Sequence, residues 1–181
     1  AMATEPDWAA ERRWEEWTGA HVGEGRAVQG LAIVRRAKVG HPQQLTKERV
    51  AGNTLAKVGS AGGIKSSELL EVLRRVEAHE LHKQIFKVNS APYLVTHVGE
   101  DEYVARCVLT AGSKAAGGEG AAGAGPGLGV VVRTNPWVVV VAAYRSDEDS
   151  RSARAVHYLV ANYFSGAGTQ PAGESEHMII D

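Results

Sequence analysis

The longest apolar runs of the chain lie close together near its end. Residues 130–133 read Val-Val-Val-Arg, and residues 137–144 read Trp, four Val, Ala-Ala and Tyr. Both are β-branched runs far shorter than a membrane span, so they predict buried strands. Thr134-Asn135-Pro136 between them is turn chemistry: Pro presets φ and Asn tolerates tight backbone angles. A hairpin that is apolar on both faces needs helices above and below it.

Helical spacing brackets this hairpin. Residues 8–22 predict an amphipathic helix, with Trp14 and Trp17 three apart on one face and Glu11, Arg12, Glu15 and Glu16 elsewhere. Gly19, Gly23 and Gly25 end it. Ser66 or Ser67 is expected to cap a second helix, whose Leu69, Leu70, Val72, Leu73 and Val76 form a buried stripe. Asp147 to Ser150 opens a last helix with Ala153, Val156, Val160 and Tyr163 on one side.

Strands are expected at residues 31–34, 50–58, 85–88, 93–98 and 103–110, in addition to the hairpin. Residues 35–48 read as a polar, basic loop, and residues 59–64 as a Gly-rich one. The Gly/Ala stretch at 115–129 has too little side chain to offset ordering entropy and reads as a mobile loop. Residues 169–181 read as a disordered tail. There is no internal repeat. The order predicts an α/β protein of the α+β type, built on a mainly antiparallel sheet.

Composition narrows the function classes. The chain has 181 residues, enough for one domain with a real core. Lys+Arg 20 against Asp+Glu 21 gives a net charge of −1, so no global basic field holds nucleic acid or anionic lipid. A single cysteine, Cys107, forbids an internal disulfide and fits a reducing compartment. Nothing near the start resembles a signal peptide, and the expectation is a soluble cytoplasmic protein.

Motifs for catalysis are poor. Gly118 to Gly123 spells a dinucleotide fingerprint, but a strand rather than a helix is expected to follow it. His79-Glu80-Leu81-His82 is one residue short of a zinc-protease motif and has no further ligand cluster, so surface histidines are expected. Cys107 sits in an expected strand and reads as a buried structural thiol. No cofactor, metal site or enzymatic activity is expected.

Six short segments, taken in order, resemble the profilin family of actin-monomer-binding proteins. Trp14-Glu15-Glu16-Trp17 is similar to the opening Trp-x-x-Tyr, and Leu31-Ala32-Ile33-Val34 to the first strand. Tyr93-Leu94-Val95 and Ser113-Lys114-Ala115-Ala116-Gly117-Gly118 resemble a later strand and its basic Gly-Gly turn. The hairpin and the Tyr158-Leu159 helix complete the series. The resemblance implies one domain over residues 8–168, with insertions at 35–49 and 115–129. It also implies a central antiparallel sheet sandwiched between helices, the N- and C-terminal helices side by side on one face.

What the family implies for function is binding. Monomeric actin is the expected partner, met by Arg106, Lys114, Arg133, Arg151 and Arg154, with regulation of polymerisation as the outcome. Proline-rich peptides of formin-like assembly factors are expected on Trp14, Trp17, Tyr158 and Tyr163, with His157 at the edge. Leu55 stands where profilins usually place a Trp of that surface. Phosphoinositides are a further family ligand. The protein is expected to be a cytoskeletal monomer. A roadblock or longin type of dimerisation scaffold is the competing reading, and a GAF or PAS type of sensor the third.

Overall fold

The computed structural model describes residues 12–36, 44–108, 127–145 and 149–164. Among the described residues four α-helices are formed: α1 (Trp14–His21), α2 (Lys47–Gly52), α3 (Ser66–Glu77) and α4 (Asp149–Tyr163). Seven strands join them: β1 (Gly30–Arg35), β2 (Thr54–Gly59), β3 (Phe86–Val88), β4 (Ala91–Gly99), β5 (Glu102–Cys107), β6 (Leu128–Thr134) and β7 (Val138–Arg145). They pair antiparallel in one sheet, ordered β2-β1-β7-β6-β5-β4-β3.

The apolar hairpin lies at the centre because both its faces are covered. Val130, Val132, Val139 and Val141 point into a layer closed by α2 and α3, with Val50, Leu69, Val72, Leu73 and Val76. Val131, Val138, Val140 and Ala142 point the other way, against Trp14 and Trp17 of α1 and Ala155, Val156, Leu159 and Val160 of α4. The period-2 alternation of a strand splits one Val-rich run between two cores. The terminal helices therefore share one face of the sheet, as the family resemblance implies. They run antiparallel: the Trp14 ring meets Phe164 at 6.0 Å, and the His21 end of α1 shares a cleft with Arg151.

The boundaries differ from the sequence reading in several places. Lys47–Gly52, expected in a loop and the start of a strand segment, form α2, capped by Thr46, whose Oγ1 accepts from Arg49 N–H at 3.2 Å. Val50 points into the core from this helix, and Leu45 is buried just before it. Lys65, not Ser66 or Ser67, caps α3. Its N–H donates to Glu68 Oε1 at 3.0 Å, while Glu68 Oε2 accepts from Ser90 N–H at 2.8 Å. One carboxylate thus ties the helix start to the β3–β4 turn, where Asn89 and Ser90 take left-handed angles that suit a tight hairpin. Leu128 and Gly129 belong to β6 rather than to the Gly/Ala loop. The expectations for residues 8–11, 115–126 and 169–181 fall outside the described residues.

Gly129 is required by its neighbour. It lies opposite Tyr144 in the ladder, and a Cβ there would come within 2.6 Å of the Tyr144 ring. The buried Tyr144 ring therefore occupies the space over residue 129.

At one end of the sheet a polar network joins the layers. The Arg36 guanidinium donates to Glu77 Oε1 at 2.5 Å and to the Asn135 carbonyl at 3.0 Å. Asn135 Oδ1 accepts from the N–H groups of Trp137 and Val138 at 2.8 and 2.9 Å.

Candidate functional site

The terminal-helix layer covers only part of its face of the sheet. α4 packs on β6 and β7. On β5 and β4, Ala105, Cys107 and Tyr93 turn toward the α3 layer, so the alternate residues Arg106, Val108 and Leu94 turn toward the terminal-helix side. There they are exposed. Leu94 is 39% accessible, Val108 39%, and Ile85, just before β3, 51%.

The ladder sets these residues in rows. Lys87 pairs with Pro92, whose carbonyl accepts from Val108 N–H at 3.0 Å. Leu94 pairs with Arg106 in the neighbouring row. An apolar patch thus carries Lys87 and Arg106 within it. Arg133, two residues beyond the inward Val131, lies on the same face and forms an ion pair with Glu102 at 3.6 Å.

The basic residues singled out from the sequence divide. Arg106 and Arg133 share this face. Arg154 is exposed on the outer side of α4, its Nε donating to the Ser150 carbonyl at 3.2 Å. Arg151 turns toward α1 instead. Lys114 lies outside the described residues.

The aromatic candidates divide too. Trp14 is 2% accessible and Trp17 5%, so both indoles are core residues rather than a solvent-facing platform. The physical reason is their shared helical face: the stripe that carries them is the one α1 lays against the sheet. Trp17 also stacks on His21 at 4.7 Å. Tyr158 and Tyr163 are half-buried and meet edge to face, centroids 6.4 Å apart. Burial, and next the Tyr158 phenol, raise the pKa of Tyr163 above the ordinary 10.0.

Trp137 was not among the expected site residues. It is half-buried at the same end of the terminal-helix layer, its N–H held by Asn135 and its carbonyl accepting from Arg36 N–H at 2.7 Å. Its position as the first residue of an apolar run made it read as strand core. Leu55, at the expected Trp position, also packs against this layer.

Between the His21 end of α1 and the start of α4 lies a cleft of about 330 Å³. His21, Arg26 and Arg151 give it polar walls, and Ala20, Ala27 and Ala155 give it a small apolar lining. Among the described residues, no group of three or more His, Cys, Asp or Glu is placed to hold a metal. His79 and His82 are exposed, and Cys107 is half-buried rather than fully enclosed.

No protein-family model matches the sequence, and no curated protein matches it. Solved structures match in fold. Acanthamoeba castellanii profilin II, in a cubic crystal form, has a TM-score of 0.53 and 12% sequence identity, over 82% of this chain and 94% of its own. Acanthamoeba castellanii profilin IA has a TM-score of 0.52 and 14% identity, over 82% and 94%. The chain has the profilin fold.

Proposed function

We propose that this profilin-fold chain binds monomeric actin through the uncovered face of β3, β4 and β5, and proline-rich peptides beside the terminal helices. One observation carries the actin reading: Ile85, Leu94 and Val108 are exposed together on a sheet face that also bears Lys87, Arg106 and Arg133. Contiguous exposed apolar surface marks interaction sites. Apolar anchors supply the energy, and basic side chains steer an acidic partner into register. The mode of action is complex formation, with no covalent step.

The proline-peptide reading draws on Tyr158, Tyr163 and Trp137. An extended proline helix keeps its carbonyls free and loses little entropy on docking to aromatic rings. Trp14 and Trp17 support this surface from below rather than touching the ligand.

Titration of labelled monomeric actin tests the first part. Saturable binding by the wild type, weakened by Arg106→Glu, supports it. No affinity for actin overturns it. A tight homodimer in gel filtration, burying the β3–β5 face, would move the assignment to a dimerisation scaffold.

A further inference from the structure

β3 ends the strand order of the sheet, so the exposed Ile85 and Lys87 border the α3 layer as well as the uncovered face. Arg75 of α3 crosses that border. Its Nε donates to Glu71 Oε1 at 2.8 Å and its Nη1 to the Ile85 carbonyl at 2.7 Å. Beside it, between the last turns of α3 and the short 3-10 turn Leu81–Lys83, lies a cleft of about 340 Å³. Arg74, Arg75 and Lys83 line it together with Glu71 and Glu80.

These residues set three cations against two carboxylates. Glu71 is held by Arg75. Lys83 and Glu80 pair at 3.5 Å with both side chains more than half exposed, and a pair of this kind contributes little to stability. Arg74 is the cation in excess. It is exposed, its Nη2 donates to the Leu45 carbonyl at 3.2 Å, and among the described residues no carboxylate pairs with it. Closing the end of α3 does not occupy it either. The carbonyls of Arg74, Arg75 and Val76 are met by backbone N–H groups of Ala78, His79 and Glu80.

We infer that the partner on the β3–β5 face reaches round the β3 edge and places an acidic side chain in the cleft between Arg74 and Lys83. This rests on the actin reading and gives the same acidic partner a second anchor, on α3. Charge and continuity argue for that occupant. A guanidinium with open N–H groups holds a carboxylate by charge-assisted hydrogen bonds, which are the strong ones. Ile85 joins the two places: it is 51% accessible in the apolar patch, and its carbonyl holds Arg75 at the cleft. A stable interface buries about 800 Å² on each partner, and strands lie about 4.8 Å apart. A contact on β3–β5 therefore extends past one edge strand without unusual size.

Titration of labelled monomeric actin with the full chain tests this, with association and dissociation rates read separately. Arg74→Glu is expected to weaken binding about tenfold, mainly through faster dissociation. Arg74→Gln is expected to fall between it and the wild type. Arg13→Glu, an exposed position on α1, makes the same change in net charge on the other layer and is expected to leave affinity unchanged. Thermal melts accompany each variant, and Arg74→Gln, which keeps a donor for the Leu45 carbonyl, serves if Arg74→Glu loses its fold. Wild-type affinity in both Arg74 variants overturns the inference and leaves the β3–β5 reading standing. An equal loss in Arg13→Glu also overturns it, since net charge alone would then account for the effect. No actin binding by the wild type removes both.

Discussion

Asn135 Nδ2 donates to the carbonyl of Phe164 at 2.9 Å, so the β6–β7 turn closes the carboxyl end of α4. The last carbonyls of a helix have no partner of their own, and here a turn side chain supplies one. The same carboxamide accepts two backbone N–H groups of its own turn. Asn135→Ala strips all three bonds at once and is expected to cost about 2–3 kcal/mol, read by urea denaturation. Asn135→Asp keeps the acceptors and loses the donor, so it should fall between Ala and wild type.

Gly129→Ala tests the close approach of Tyr144. The added methyl meets the buried Tyr144 ring, 2.6 Å away, and overpacking of this kind costs about 1–3 kcal/mol. Replacing Tyr144 by Leu should make the two substitutions non-additive, with the double variant more stable than the sum of the singles predicts.

Tyr93 should govern part of the alkaline behaviour. Burial, and next the Cys107 thiol opposite it, raise its phenol far above the ordinary 10.0. Below pH 10 the phenol is neutral in both folded and unfolded chains, and its contribution is complete. Above pH 10 the unfolded chain ionises while the folded one holds its proton, so stability is lost as pH rises. The loss is about 1.4 kcal/mol per pH unit from this group. Tyr93→Phe keeps the ring stacked on Phe86 and should flatten that slope in melts between pH 9 and 11.

Leu94→Asp separates surface function from stability. Leu94 is exposed, so melting should stay within about 0.5 kcal/mol of wild type. Affinity for monomeric actin should fall by an order of magnitude or more if Leu94 anchors the contact. Unchanged actin binding by this variant would remove the β3–β5 face from the interface.

The elements with long, regular periodicity were legible in advance: the β6–β7 hairpin, α3 and α4. Their apolar residues recur often enough for spacing alone to decide. α2 was not, because a six-residue helix has room for one inward residue, and Val50 alone sets no period. The layer arrangement followed from a hairpin apolar on both faces. The site was harder. Trp14 and Trp17 are three apart whether their shared face meets a sheet or a ligand, and only the packing shows that it meets the sheet. Leu94 and Val108 look like core residues in the sequence, since alternation does not reveal where a helix stops covering a strand. The exposed patch lies beyond the strands on which α4 mainly packs, β6 and β7. Trp137 was hidden by its neighbours, four valines that mark the run as buried.

The contact between Trp14 and Phe164 has a kinetic side. These rings lie almost the full described chain apart in sequence, yet they help complete one core layer. Closing so large a loop costs entropy before any contact repays it. The β6–β7 hairpin and the α3 turn need only local closure and can form early. The layer beneath α1 and α4 must wait until both segments arrive, which gives the molecule a high contact order and a slow final assembly step.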